Sequence, residues 1–572
     1  MRRLLAAFGA ALLVATACGP TGPSSGGPTA PGAEEKPVAG GRIVEGAISD
    51  VKTLQPVIST DTASSGAWSN FYIGLIRSDP DTGDLEGGLA DTFELSKDGL
   101  TVTYRLRDGL VWSDGQPFTS DDYKYTVEAV ARSKKTVRRS TFQDIVGWKD
   151  YVDGKADEVK GLQVKDGGKT IEIQLSKVFC PALRNLSGAG GGILPKHHFV
   201  KGWDNRTTDT TTNIDDHPLN MTPPASMGPF VFKEHKPGVQ VTMTRNEKYY
   251  RGAPLIEEWI IKAYADQVAI KAALLTGEVS YGSVQPADVE EVQNAGKEIL
   301  NFHRQKGVSG YNYIGWNQKA AKAPWLADKR VRQALWYGID ATSIIKNIVL
   351  GYGHQVYGHT PQASWAYPDD KDFSKYAYDP NKAKQLLEQA GATMGPDGLY
   401  RWRDGKPMQM RIETNQGNKV RETILQIAQE QYKKIGVKID PLLESFPALL
   451  DRTDPGTDYE GFILGWSLGL DPDGYSIWHS SQQGKNQFNN VFFTSPETDK
   501  ALETGRNGPD CIVEARKKAY ATFNKVLNEE APYTFLYTQD SIVFFTKSLQ
   551  NIQPKTYSSG SGWNLEKWWI KR

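Results

Sequence analysis

Between Gly88 and Val130 the chain runs GLADTFELSKDGLTVTYRLRDGLVWSDGQPFTSDDYKYTVEAV. Acidic residues are dense here, which invites a metal or catalytic carboxylate site. The spacing argues instead for structure. Val102, Tyr104 and Leu106 share one face of a strand, and Thr101, Thr103 and Arg105 share the other. Asp98-Gly99, Asp108-Gly109 and Asp114-Gly115 fall where turns are needed, because Asp bonds its own backbone and Gly accepts a positive φ. Phe93 to Ser96 is expected to pair back on Leu100 to Leu106 as a hairpin. Thr119 or Ser120 caps a helix whose first turn holds Asp121 and Asp122, where the helix dipole favours negative charge. Tyr123, Val127 and Val130 then form its inward stripe. Turn aspartates of this kind are expected to point apart rather than to converge on an ion.

The same residues, Gly88 to Tyr123, resemble the signature of the bacterial extracellular solute-binding proteins of family 5, the dipeptide-, oligopeptide- and nickel-binding components of ABC importers. Further blocks follow in the family's order. GGRIVEGAISDVKTLQP (Gly40–Pro56) resembles its first strand and loop. GGILPKHHF (Gly191–Phe199), MGPFVFKEHKPGVQVTMTRNEKYYRGAP (Met227–Pro254) and DKRVRQALWYGIDATSIIKNIVLGYG (Asp328–Gly353) resemble three more. The resemblance implies an α/β protein with the two-lobed type II periplasmic-binding-protein fold and an extra subdomain inserted in the first lobe. On this chain it places lobe I at 41–81, 217–308 and 533–572, the inserted subdomain at 82–216 and lobe II at 309–532.

Composition agrees with an exported globular protein. The chain has 572 residues, long enough for two or three domains. Its 67 basic and 67 acidic side chains cancel, so there is no basic field for nucleic acid. Arg2 and Arg3 precede an apolar run from Leu4 to Ala17 that is too short to span a bilayer and reads as a secretory signal, residues 1–17. Cys18 follows the small pair Thr16-Ala17 and resembles the lipidated cysteine of a bacterial lipobox, although Ala15 stands where Leu is more usual. Residues 18–40 are rich in Gly, Pro and Ser and read as a flexible linker, reaching roughly 25 Å as a coil. The expected location is extracytoplasmic, with a lipid on Cys18 as the membrane anchor. Cys180 and Cys511, 331 positions apart, are expected to be unpaired thiols.

Pattern reading beyond the first stretch gives an α/β body. Asp266, Asp340 and the Asp379-Pro380 pair each open a helix. Met408, Met410 and Ile412 alternate as a strand, Arg421 to Lys434 is helical, and Val437 and Ile439 begin another strand. GFILGW (Gly461–Trp466) has strand length. Strand, helix, strand at this spacing is a βαβ unit and argues for a parallel sheet. Ligands of open α/β sheets bind at loops leaving the carboxyl ends of strands. Here these are TNQGN (Thr414–Asn418) and SLGLDPDGYSIWHSSQ (Ser467–Gln482).

Catalytic patterns are missing. HExxH and CxxC do not occur, and GxSxG occurs once, at Gly22–Gly26, inside the linker where no nucleophile elbow can form. GGKT (Gly167–Thr170) lacks the first glycine of a phosphate loop and reads as a hairpin turn. DPDGY (Asp471–Tyr475) is similar to part of a calcium loop but lacks the later ligands. His197 and His198 are adjacent, without an HxH or HxxxH spacing. No cofactor, metal or enzymatic activity is expected. The leading expectation is a monomeric receptor that binds peptides between its lobes, closes by a hinge and serves an ABC permease and its ATPase. An oligosaccharide-binding receptor is the alternative, and a surface-anchored hydrolase a distant third.

Candidate contacts are Trp68, Trp316, Asn317, Tyr357, Asn415, Gln416, Trp466, Ser467, Asp471 and Trp478, chosen as aromatic platforms and amide or carboxylate groups near the expected cleft. In peptide-binding members of the family an Asp soon after the Gly-Trp pair holds the peptide's amino terminus. The matching position here is Gly469, so the resemblance leaves Asp471 or Asp473 as the anchor, or a ligand without a free amine.

Overall fold

The computed structural model describes residues 36–200, 214–307, 310–360, 364–454, 458–509, 511–555 and 562–572. The signal segment, Cys18 and most of the linker lie outside them. No helix among the described residues is long and apolar enough to cross a membrane.

Residues 37–572 form one compact unit built on two large sheets. The first has seven strands in the order Leu300–Gln305, Ser541–Thr546, Tyr281–Gly282, Arg42–Ala47, Glu258–Ala263, Gln240–Arg245 and Phe230–Lys236. The second has six: Gly353–Gln355, Tyr533–Gln539, Gly310–Trp316, Gly461–Ser467, Gln409–Asn415 and Lys438–Glu444. The βαβ expectation holds here. Gln409–Asn415 runs parallel to Lys438–Glu444, with Met410 opposite Ile439, and the helix Lys419–Lys434 connects them. Its apolar stripe, Val420, Ile424, Leu425, Ala428 and Tyr432, is buried against the sheet.

The chain passes between the two sheets twice, between Gln305 and Gly310 and again at Asp540. The second passage differs from the sequence reading. Tyr533–Gln539 pairs with Gly310–Trp316 inside the six-stranded sheet, and only Ser541–Thr546 joins the seven-stranded one. Both segments are apolar and of strand length, so composition alone does not say where one sheet ends.

The opening stretch supplies two strands, Ala90–Leu95 and Thr101–Leu106, of a separate four-stranded sheet that Thr170–Gln174 and Leu162–Lys165 complete. Phe93 faces Tyr104 and Leu95 faces Val102 across the hairpin. Gly99, Gly109 and Gly115 all have positive φ, as their Asp-Gly turns require. The helix Ser120–Arg132 follows, and Asp122 in its first turn accepts a 3.0 Å hydrogen bond from the Thr119 backbone N–H. Tyr123, Val127 and Val130 are fully buried beneath it. GGKT is a turn between two antiparallel strands.

Cys180 and Cys511 are joined in a disulfide, with Cα atoms 5.1 Å apart, which corrects the expectation of free thiols. Cys180 follows the four-stranded sheet, and Cys511 lies between the helices Pro496–Asn507 and Val513–Glu530 that flank the six-stranded one. Separation along the chain says nothing about distance in the fold. Here the two segments also bond directly: Cys180 N–H donates to the Arg506 carbonyl at 2.8 Å, and Asn507 Nδ2 to the Val178 carbonyl at 2.7 Å.

Candidate functional site

A cavity of about 1390 Å³ lies between the two large sheets, with the segment that carries the four-stranded sheet on one flank. Its second-lobe wall starts from the pairing of Gly310–Trp316 with Gly461–Ser467. These strands are antiparallel, with Gly310 opposite Ser467 and Trp316 opposite Gly461. The Gly310/Ser467 end carries the cavity, so Tyr311, Asn312, Tyr313, Leu464, Trp466 and Ser467 line it. Trp316 sits at the far end, fully buried against Tyr432, with its indole N–H donated to Thr534 at 3.1 Å.

Aromatic rings make the floor. Tyr313 stacks on Tyr533 with centroids 3.8 Å apart, and the Trp466 ring lies nearly parallel to Tyr313, interplanar angle 6°. Phe488 meets Trp466 edge-on at 5.2 Å. Trp466 is half-buried and donates its indole N–H to the Tyr533 hydroxyl at 3.3 Å. It is therefore locked in orientation while presenting one face to a guest.

Arg421 crosses the same floor. It enters from the first turn of Lys419–Lys434, which Asn418 caps. Nη1 donates to Asn415 Oδ1 at 3.0 Å, and Nε and Nη2 reach Asn312 Oδ1 at 3.4 Å. A Cβ at position 465 would lie 2.8 Å from Nη2, so Gly465 in the Gly-Trp pair makes room for the guanidinium. Burial lowers its pKa. None of the ion pairs among the described residues gives Arg421 a carboxylate, and the same holds for Arg138 and Arg184 on the opposite wall. Arg138 donates to the Ser59 carbonyl at 2.6 Å, and burial pushes its guanidinium down to about 10. Arg184 donates to the Gly83 carbonyl at 2.9 Å.

The first-lobe wall supplies acid as well. Glu45, on Arg42–Ala47, accepts from Trp259 Nε1 at 2.9 Å, and burial pushes its carboxyl up. Asp61 lines the cavity from this side and Asp451 and Asp454 from the other, with Lys52 of the first lobe bonded to Asp451 across it. Trp68 is buried at the cavity wall, and its indole N–H has no protein acceptor among the described residues.

Of the residues singled out from sequence, Trp68, Trp466 and Ser467 line the cavity. The others do not. Asn317 is buried, donating to the Tyr459 carbonyl at 2.8 Å. Tyr357 lies outside the cavity, beside Phe373 and beneath the Lys375 ammonium. Asn415 is buried and acts through Arg421. Gln416 is exposed, its backbone tied to Glu444. Asp471 is occupied by Arg516, whose Nη2 lies 2.8 Å from both carboxylate oxygens. Trp478 is fully buried, donating at 3.0 Å to Nδ1 of His359, an imidazole that burial pushes down to about 3 and keeps neutral. Sequence reasoning missed Tyr311, Asn312, Tyr313 and Arg421. The first three stand on the strand Gly310–Trp316, where Trp316 was favoured by residue type at the wrong end.

Gly469 also lines the cavity, and a Cβ built there meets nothing within 4 Å. The position that holds an acidic anchor in the resemblance is thus open space here.

Comparison with known proteins places this architecture. The oligopeptide-binding protein AppA of Bacillus subtilis (strain 168) is 30% identical over 551 residues, covering 94% of this chain and 93% of its own. The AppA structure in complex with a nonapeptide matches 94% of this chain and 100% of that one, with a TM-score of 0.83. NikZ of Campylobacter jejuni, solved in complex with Ni(L-His), is 27% identical and matches 92% of this chain and 99% of that one, with a TM-score of 0.77. OppA of Lactococcus lactis subsp. cremoris (strain SK11) is 27% identical, covering 80% of this chain and 77% of its own. The fold is that of the two-lobed type II periplasmic binding proteins, and these relatives are solute-binding receptors rather than enzymes. The model of the bacterial extracellular solute-binding proteins, family 5, matches residues 84–488, and the chain belongs to that family.

Proposed function

We propose that this protein is the extracytoplasmic receptor of an ABC importer for peptides. It is anchored by lipid on Cys18, monomeric, and delivers its guest to the permease after the lobes close about the two crossover segments. The observation that carries the reading is the cavity itself. About 1390 Å³ exceeds the ~300–1000 Å³ of most small-molecule sites. Its lining combines aromatic faces with buried charge of both signs. A peptide brings a carboxylate, an amine and backbone donors and acceptors to such a wall. A neutral sugar would leave Arg421 and Arg138 desolvated without a counter-charge, which is costly. AppA and OppA, named as oligopeptide-binding, point the same way.

A thermal-shift panel tests the reading. Synthetic oligopeptides are expected to raise the melting temperature and to be recovered intact, while malto- and cello-oligomers leave it unchanged. A shift by sugars alone, or consumption of any panel member, would overturn it.

Gly469 gives a sharper prediction. Gly469→Asp is expected to place a carboxylate in the open space, as in the peptide-binding members with an acidic anchor. Affinity for short peptides with a free amino terminus should rise about tenfold, or ~1.4 kcal/mol. N-acetylated peptides should show no gain. Calorimetric titration of both peptide forms separates the outcomes, and equal gains would contradict an amine anchor.

A further inference from the structure

Asp114 belongs to the Asp-Gly turn of the opening stretch, and His197 and His198 to the short helix Lys196–Phe199. The fold brings them together. Asp114 Oδ1 does the turn's work, accepting from the Gln116 N–H at 3.0 Å. Oδ2 faces the other way and lies 2.8 Å from Nε2 of His197 and 2.8 Å from Nε2 of His198. The two imidazoles sit side by side with centroids 4.4 Å apart. All three ligand atoms lie within 4.8 Å of one another, the one such group of three found among the described residues.

The arrangement is held from behind. Buried Asp122 accepts from the Lys196 N–H at 2.9 Å and so fixes the start of the histidine helix against the helix Ser120–Arg132. The Trp112 ring packs edge-on against His197, centroids 6.2 Å apart. Two imidazole nitrogens and one carboxylate oxygen are the donor set of an open tetrahedral zinc site, with bonds of about 2.0–2.2 Å. Ligand atoms in such a site stand roughly 3.3 Å apart. The partly exposed side chains need to spread by about half an ångström from their 2.8 Å contacts to admit the ion. A recess of about 220 Å³, lined by His197, Asp121 and Asp122, opens alongside.

We propose that Asp114 Oδ2, His197 Nε2 and His198 Nε2 form a binding site for a divalent transition metal such as Zn²⁺, with a fourth position open to water. The site is separate from the solute cavity, which none of the three residues lines. Bound metal would brace the turn at Asp114 against the helix at Lys196, within the inserted subdomain. Hard cations such as Ca²⁺ favour all-oxygen shells and are not expected to bind there.

Calorimetric titration of the chelator-stripped full chain with ZnCl₂ and with CaCl₂ tests this. Asp114→Asn keeps an oxygen for the turn, and His198→Ala removes a ring whose polar contact is Asp114. The expected result is one Zn²⁺ per chain, at least tenfold weaker binding in each variant, and no Ca²⁺ heat at this site. Metal-free His198→Ala should melt with the parent, showing that the loss is of a ligand and not of the fold. With Cu²⁺, the electron paramagnetic resonance spectrum of the parent should show two-nitrogen coupling that His198→Ala reduces to one. No Zn²⁺ uptake by the parent, or equal uptake by the parent and His198→Ala, would overturn the proposal.

Discussion

Breaking the Cys180–Cys511 disulfide, by reduction or as the Cys180→Ala/Cys511→Ala pair, is expected to destabilise the protein by about 3–5 kcal/mol. The bond closes a loop of 331 residues, so in the chain-entropy model its effect sits at the upper end of the usual range. Its place in the fold gives it a second consequence. The other covalent links between the two large sheets are the crossover segments near Gln305 and Asp540, while the disulfide ties the segment after the four-stranded sheet to the helices that flank the six-stranded one. The non-covalent bridges across the cavity that opening must part include Lys52 with Asp451 and Asn486 Nδ2 with the Lys134 carbonyl. The disulfide flank stays joined. The alanine pair should therefore melt earlier, open more widely and release its solute faster than the oxidised parent. Chemical denaturation measures the first effect, and stopped-flow displacement of a fluorescent peptide the last. Coincident denaturation curves would show that the bond holds nothing the surrounding contacts do not.

Asp540→Asn is expected to cost about 2–4 kcal/mol, for a different reason. Asp540 stands where the chain leaves the six-stranded sheet for the seven-stranded one, and its side chain is fully buried. It accepts from Arg304 Nε at 2.7 Å and from the Gly307 N–H at 2.9 Å, so one carboxylate grips both crossover segments. Its own N–H donates to the Tyr352 carbonyl at 3.0 Å. The amide keeps the shape but loses the charge and turns one acceptor into a donor that must face either Arg304 or the Gly307 N–H. The figure stays below that of a fully enclosed pair because Arg304 is partly exposed. Urea denaturation checks the stability, and small-angle scattering checks whether the lobes part without solute. A change under about 0.5 kcal/mol would remove Asp540 from any role in the hinge.

How much of this was legible in the sequence follows the range of the signal. The hairpin at Phe93 and Tyr104, the Asp122-braced helix start and the βαβ unit around Met410 and Ile439 are set by neighbouring residues and short periods, and the structure matches them. Distance in the fold was not legible. Nothing between Cys180 and Cys511 signals their contact, and nothing in the Asp114 turn foretells two histidines more than eighty residues later. The cavity wall shows the same limit. Trp466 and Ser467 were reached because they end a strand, whereas Trp316 failed because an antiparallel partner reverses which end faces the ligand. Asp471 looked like a free anchor until the fold set Arg516 against it. Arg421 reads as one more helix cation until Gly465, on a neighbouring strand, is seen to make room for it.

The central claim is that a peptide is held, chemically unchanged, in the cavity between the lobes. Native mass spectrometry of the protein after incubation with a defined mixture of oligopeptides tests it directly, with Arg421→Ala beside the parent. The expected result is one intact peptide per parent chain and a marked loss of retention in Arg421→Ala. A parent that retains nothing, retains peptide equally well without Arg421, or returns the mixture as fragments would contradict the account.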